Sequence, residues 1–143
     1  MACARAGLVC LICAMAAIPL FAADEFTVVA NPSVPGTQIR RADLAAVFLG
    51  QAARWGDRQM AVPVDQSMQS EVRAAFSEKA LKLSAAGVLQ YWRDQIPKGR
   101  RPPAVKSSDS EVLAFVAANE GAVGYVSRQA TLTAGVKAIN IVE

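Results

Sequence analysis

The chain has 143 residues, which is enough for one domain, and 53% of them are hydrophobic. It has no histidine, and its three cysteines all lie within the first 13 residues, so a transition-metal site is disfavoured and Ser-His and Cys-His nucleophile pairs are excluded. The formal net charge of +3 does not favour nucleic-acid binding, and we expect a binding protein that is not an enzyme and needs no metal or cofactor.

The first 23 residues have the build of a secretory signal peptide. A single charge, Arg5, precedes the apolar run GLVCLICAMAAIPLFAA and the polar start DE, which predicts cleavage after Ala22 or Ala23. The run is shorter than the roughly 20 residues that span a bilayer, so we expect no stable membrane insertion after cleavage; a retained anchor is the alternative. We therefore expect one periplasmic domain over residues 24–143, without a disulfide and stabilised by its core.

The first predicted elements of this domain are a buried strand and a helix. EFTVVANPS is rich in β-branched residues and ends in Asn-Pro-Ser, which predicts a strand over Phe26 to Ala30. IRRADLAAVFLG places Leu44, Val47 and Phe48 at helical spacing, and Gly50 is suited to end that helix in a left-handed conformation.

A loop, a second strand and two helices are predicted next. QAARWGDRQ is predicted to be a surface loop, and MAVPV a strand in which Pro63 indicates an edge position or a bulge. A helix follows from Ser70, and Ser84 is placed to cap a third helix that carries Val88, Leu89 and Trp92.

The last third of the chain contains a loop, a helix and two strands. PKGRRPPAVK, Pro97 to Lys106, is a proline-rich basic loop. Ser108 and Glu111 form a capping box that starts the next helix, and Gly121 marks its end. AVGYV and AINIV are the final predicted strands. Helices that alternate with short apolar strands favour a three-layer α/β domain.

The junction AVPVDQSMQSEVRAAF, between a strand and a helix, is the main candidate ligand site. Such a junction presents unpaired backbone N–H groups and the positive end of the helix dipole. Ser67 and Ser70 add hydroxyl donors and Gln66 an amide, so a small oxyanion such as phosphate is a suitable ligand. Asp65 would repel a fully ionised anion unless a proton lies between them. The alternative is that Ser67 or Ser70 is only the helix N-cap.

The segment KSSDSE, at the start of the last helix, is a second candidate anion site, with Arg100, Arg101 and Lys106 nearby. Ser108 and Glu111 are expected to satisfy each other there. A basic loop is, moreover, usually a solvated surface, so this site is the weaker candidate.

Five segments, in this order, resemble a known family: VVANPS, LAAVFLGQAARWGD, VPVDQSMQSEVRAAF, a Trp-bearing helix and VLAFVAANEGAVGYV. They are similar to the second lobe of the phosphate-type periplasmic substrate-binding proteins of ABC importers, and above all to short, single-lobe members. The resemblance covers Phe26 to Val126, and its most specific pieces are Val47 to Trp55 and Gly121 to Val126. It implies one lobe of a type II periplasmic-binding-protein-like fold, with a mixed sheet of about four strands flanked by helices.

The junction departs from the pattern of that family. In full-length members it carries an arginine, an aspartate and a Ser-Gly-Thr that bind phosphate. Ser70 matches the serine, whereas the other four positions are changed, to Gln66, Met68, Glu71 and Val72. Glu71 brings negative charge to the place where phosphate oxygens would accept backbone hydrogen bonds. The resemblance covers no first lobe, so it implies phosphate import with an ABC permease only by association.

Three functions compete at this point. The first is capture of a small oxyanion at the junction, with a second lobe supplied by another copy or another protein. The second is an interaction module that contacts an envelope protein through the basic loop or through Trp55, which otherwise packs back on the domain. The third, a carboxylate-based hydrolase, would depend on Asp65.

Overall fold

A computed structural model of the chain describes residues 25–56 and 59–143. The predicted signal peptide, residues 1–23, and its cleavage position lie outside these residues. Within the described ranges, no helix is long and apolar enough to cross a membrane.

The described chain folds into eight strands and four α-helices. The strands are β1 (Phe26–Ala30), β2 (Gln38–Arg40), β3 (Arg54–Trp55), β4 (Gln59–Met60), β5 (Val62–Gln66), β6 (Ala104–Lys106), β7 (Ala122–Ser127) and β8 (Lys137–Val142). The helices are α1 (Arg41–Phe48), α2 (Glu71–Phe76), α3 (Ala85–Gln95) and α4 (Asp109–Ala118). A π-helical turn, Ser77–Leu81, continues α2, and a 3-10 turn, Ile96–Lys98, continues α3.

Six of the strands form one mixed sheet in the order β2-β8-β1-β7-β5-β6. Strand β1 pairs antiparallel with both β7 and β8, whereas the other pairs in the sheet are parallel. The carboxyl ends of β5, β6 and β7 therefore meet at one edge, where open α/β sheets commonly bind ligands.

Helices cover both faces of this sheet, which confirms the three-layer α/β class. On one face, α1, α2 and α3 enclose a core that contains Phe48, Phe76, Trp92 and Tyr125. On the other face, α4 packs on β1, β5 and β7 through a second, aliphatic core. The alternation of side chains along β7 supplies both layers, because successive residues of a strand point to opposite faces.

The sheet has six strands where about four were expected. The short strands β2 and β6 were not predicted, and the segment predicted as a surface loop contains a hairpin, β3–β4. Strand β5 lies between β7 and β6, so the edge position that Pro63 suggested is wrong for most of this strand. Strand β6 pairs only from Val64 onward, however, and this leaves Pro63 beyond the reach of that neighbour.

The helix starts were predicted more accurately than the strand edges. The side chains of Ser84 and Ser108 accept hydrogen bonds from the third residue of their helices, as N-caps do. Of the three large apolar residues noted on α3, Val88 and Trp92 are buried, whereas Leu89 is 38% exposed.

Gly121 precedes β7 at a point of close backbone approach. Its φ of 77° lies in the left-handed region, and a Cβ at this position would overlap the carbonyl oxygen of Met60. A side chain here therefore meets a steric penalty in addition to the conformational one.

We expect Gly121→Ala to lower the free energy of unfolding by about 3 kcal/mol or more, measured by chemical denaturation. Gly99→Ala is the matched control, because Gly99 has a φ of 82° and a Cβ added there would meet no described residue within 4 Å apart from its chain neighbours. It should cost only the conformational term, about 1–2 kcal/mol. Equal losses in the two variants would show that the contact with Met60 is unimportant.

Candidate functional site

The junction after β5 brings the four predicted site residues together. Asp65 and Gln66 are the last two residues of β5 and are buried, while Ser67 and Ser70 lie half-buried in the turn that follows. The side chain of Ser70 caps α2 by accepting a hydrogen bond from Arg73 N at 3.3 Å. Ser70 is therefore the N-cap of α2, and it also donates to Gln66 Oε1, so it is more than a cap. Ser67 has the more available hydroxyl of the two serines.

The carboxylate of Asp65 is held inside the domain by three groups. Its Oδ1 accepts hydrogen bonds from the hydroxyl of Tyr125 and from Gln66 N, the latter at 2.8 Å. Its Oδ2 lies 3.4 Å from Nη2 of Arg73, and both side chains are more than 90% buried. Burial and the neighbouring Asp65 carboxylate raise the pKa of Tyr125, so its hydroxyl remains a donor at all ordinary pH values.

The amide of Gln66 is also fully occupied. Its Nε2 donates to Asp109 Oδ1 at 3.0 Å and to Tyr125 O at 2.9 Å, and its Oε1 accepts from Ser70 Oγ at 2.7 Å. The backbone carbonyl of Gln66 accepts from Nη1 of Arg73 at 2.8 Å. Four chain segments are thus joined through one buried side chain.

Carboxylates surround the helix starts at this edge of the sheet. Asp109, at the start of α4, binds the backbone N–H and the hydroxyl of Ser127 at 3.1 and 2.6 Å. Glu111 reaches back to Ser107 N at 2.7 Å, and Glu71 occupies the first turn of α2. These negative charges favour the helix dipoles and oppose a second anion, which also weakens the candidate site at KSSDSE.

Tyr125, Arg73 and Asp109 belong to this network but were not predicted as members of the site. Tyr125 lies in an apolar strand, and the only hint of its role is that a buried tyrosine hydroxyl needs a partner. Arg73 and Asp109 are charged residues in the first turns of helices, where exposure is the usual expectation.

The carboxylate of Asp65 is not accessible to a substrate in this arrangement. Its side chain is buried and bonded on both oxygens, and no cluster of three or more acidic, histidine or cysteine residues with metal-binding geometry occurs in the described ranges. The burial of Asp65 disfavours the role that the hydrolase hypothesis assigns to this residue.

Trp55, the second proposed contact point, packs back on the domain. Its indole Nε1 donates to the carbonyl oxygen of Gly121 at 2.8 Å, and the side chain is half-buried. Trp55 lines a cavity of about 710 Å³ together with Ile39, Val47 and Ile139. A second cavity, of about 640 Å³, lies beside Arg41 and Lys82. Neither cavity is lined by Gln66, Ser67 or Ser70.

Comparison with known proteins gives a consistent result for the fold. No family model and no curated protein matches the sequence. Among solved structures, the chain is similar to an ABC-type phosphate transport receptor from Vibrio cholerae, with 24% identity and a TM-score of 0.64 over 82% of this chain and 46% of that one. The chain therefore shares the fold of about half of this receptor.

Two further structures support this fold assignment. One is a putative phosphate ABC transporter substrate-binding protein with bound phosphate from Clostridium perfringens, with 18% identity and a TM-score of 0.65 over 82% of this chain and 45% of that one. The other is PstS from Borrelia burgdorferi, with 16% identity and a TM-score of 0.66 over 82% and 47%. The resemblance seen in the sequence is confirmed at the level of the fold, and the chain spans less than half the length of these proteins.

The raised pKa of Tyr125 predicts a loss of stability at alkaline pH. Above pH 10, an unfolded tyrosine ionises while the buried one keeps its proton, so the free energy of unfolding should fall by up to about 1.4 kcal/mol per pH unit. Tyr125→Phe lacks this term. Urea denaturation between pH 9 and 11 should therefore show the stability advantage of the wild type over Tyr125→Phe shrinking as the pH rises. An advantage that stays constant would contradict the assignment.

Ser70 has two functions in this network, and its removal should cost more than removal of an ordinary cap. Ser70→Ala removes the cap of α2 and leaves the buried Oε1 of Gln66 without its donor, for an expected loss of about 2–3 kcal/mol. Ser84→Ala, which removes only the cap of α3, should cost about 1 kcal/mol. Thermal or urea unfolding of both variants measures the difference, and equal losses would show that Gln66 finds another donor.

Proposed function

We propose that this domain is a single-lobe binding module of the cell envelope that recognises another protein and holds no small-molecule ligand at the junction after β5. The observation that carries the proposal is the complete internal use of Gln66 and Ser70. A ligand oxygen at this position would have to compete with hydrogen bonds of 2.7 to 3.0 Å that are already formed inside the domain. Breaking them would leave buried polar atoms unpaired.

Electrostatics at the junction support the same proposal. The positive charge of Arg73 is balanced by Asp65, and its Nη1 is used by the carbonyl of Gln66. Glu71 and Asp109 carry negative charge at the two helix starts. An incoming phosphate would therefore meet more carboxylates than available cations.

Capture of a small oxyanion, phosphate first, is the second candidate function. It is favoured by the similar fold of a protein with bound phosphate and by the hydroxyl of Ser67, which makes no hydrogen bond to another described residue. In this case Asp65, Gln66, Ser67 and Ser70 would form one half of the site. Another copy or another protein would supply the other half, and an ABC permease would be the partner.

Isothermal titration calorimetry of the purified protein separates the two functions. We expect no binding heat with phosphate, sulfate or acetate at millimolar concentration. Saturable heat with phosphate that disappears in Ser67→Ala would overturn the proposal and establish the second candidate. Ser84→Ala, a serine on another surface, is the matched control for that loss.

A further inference from the structure

Among the residues that the structure describes, the exposed cations without an ion-pair partner are concentrated around the end of α3. Residues 93–106 contain five basic residues and one acidic residue. Arg93, Lys98, Arg100 and Arg101 are all exposed, and none forms an ion pair within residues 25–56 and 59–143. We call the surface formed by these four side chains the basic surface. Unpaired charge of one sign on one surface attracts a partner of the opposite sign.

The basic surface is held in place by its own backbone. Gly99 N donates to Ile96 O at 3.0 Å, and Arg100 N donates to Gln95 O at 3.3 Å. Pro102 and Pro103 then restrict the backbone that leads into β6. A preorganised surface loses less conformational entropy on binding than a flexible loop would.

An apolar cavity lies directly beside these charges. It has a volume of about 290 Å³ and is lined by Met60, Trp92, Pro102 and Pro103, with Arg101 at the same cavity. Met60 is 52% exposed, and Ile96 and Val105, next to the basic surface in the chain, are 53% and 54% exposed. The volume suits one or two apolar side chains, and its position allows the same partner to contact Arg101.

An open strand edge adjoins both features. Strand β6 is the last strand of the sheet and pairs only with β5 among the described residues. An unpaired edge can accept main-chain hydrogen bonds from an extended segment of another protein.

We propose that the basic surface, the cavity beside Met60 and the edge of β6 together bind an extended acidic segment of a partner protein. Carboxylates of the segment would pair with Arg100 and Arg101, and one apolar side chain would enter the cavity. The proposal rests on the proposed function and adds to it the surface used and the chemistry of the partner.

The shape and composition of this surface favour a protein segment over other anions. A concave apolar cavity of this kind fits a side chain better than it fits the flat surface of a bilayer. Single-stranded nucleic acid is bound through stacking on exposed aromatic rings, whereas Trp92 beside the basic surface is 5% exposed.

Selection from a displayed library of random 12-residue peptides on the immobilised protein tests the proposal. We expect the selected peptides to be enriched in Asp and Glu and to carry an apolar residue. A synthetic peptide from the selection should lose about tenfold or more in affinity for the double variant Arg100→Ala, Arg101→Ala, measured by fluorescence anisotropy at low salt. Met60→Ser should weaken binding without changing the preference for acidic residues.

Arg40→Ala with Arg128→Ala is the matched control, because it removes two exposed cations outside the basic surface. It should bind the peptide like the wild type. Three results would each overturn the proposal: no acidic enrichment, equal loss in the control variant, or binding to anionic phospholipid vesicles without any selection of acidic peptides.

The calorimetric test keeps the two proposals separable. Phosphate binding together with selection of acidic peptides would remove the claim that the junction after β5 holds no ligand, and would leave protein recognition by this surface supported. Absence of both would remove this surface and leave contact with an envelope partner to be made elsewhere on the domain.

Discussion

The buried carboxylate of Asp65 is the constraint on which the rest of the structure depends. A charge taken out of water must be paired and hydrogen-bonded, or the domain loses several kcal/mol. Arg73 of α2, Tyr125 of β7 and the backbone of Gln66 meet this requirement together. The stacking of Tyr125 on Phe76, with ring centroids 4.0 Å apart, places the hydroxyl where Asp65 needs it. The polar network and the aromatic core are therefore one unit, and a change in either should disturb the other.

The polar groups at the junction after β5 are used inside the domain, in contrast to the phosphate site that the resemblance in the sequence implied. In the junction after β5, Gln66 and Ser70 bind each other instead of presenting free donors. If Gln66 and Ser70 bound a ligand instead, their buried polar atoms would be without hydrogen-bond partners whenever the ligand was absent. Within the network, Arg73 Nε is the one described buried side-chain atom without a hydrogen-bond partner. The exposed cations Arg100 and Arg101, at the end of α3, have no anionic partner among the described residues. The distribution of unpaired cations, more than the fold, is therefore the basis on which we propose a contact surface.

Local patterns predicted those parts of the fold that local forces decide. The strand Phe26–Ala30 and the caps at Ser84 and Ser108 follow from β-branched residues and from side chains that bond their own helix, and all three are confirmed. The three-residue strands β2 and β6 were missed, because so short a strand is defined by hydrogen bonds to a neighbour far away in the chain. The hairpin β3–β4 was missed for the same reason.

The sequence by itself determined the α/β class and the helix starts, because these depend on local patterns and on residues within one turn of each other. The absence of histidine follows from composition alone. Only the tertiary structure decided the state of Asp65, Gln66 and Ser70. Their partners Tyr125 and Asp109 lie 60 and 43 positions away from Asp65 and Gln66, and no local pattern records such a pairing. Whether a polar side chain is a free donor or a satisfied one depends on what the folded chain brings within about 3 Å of it.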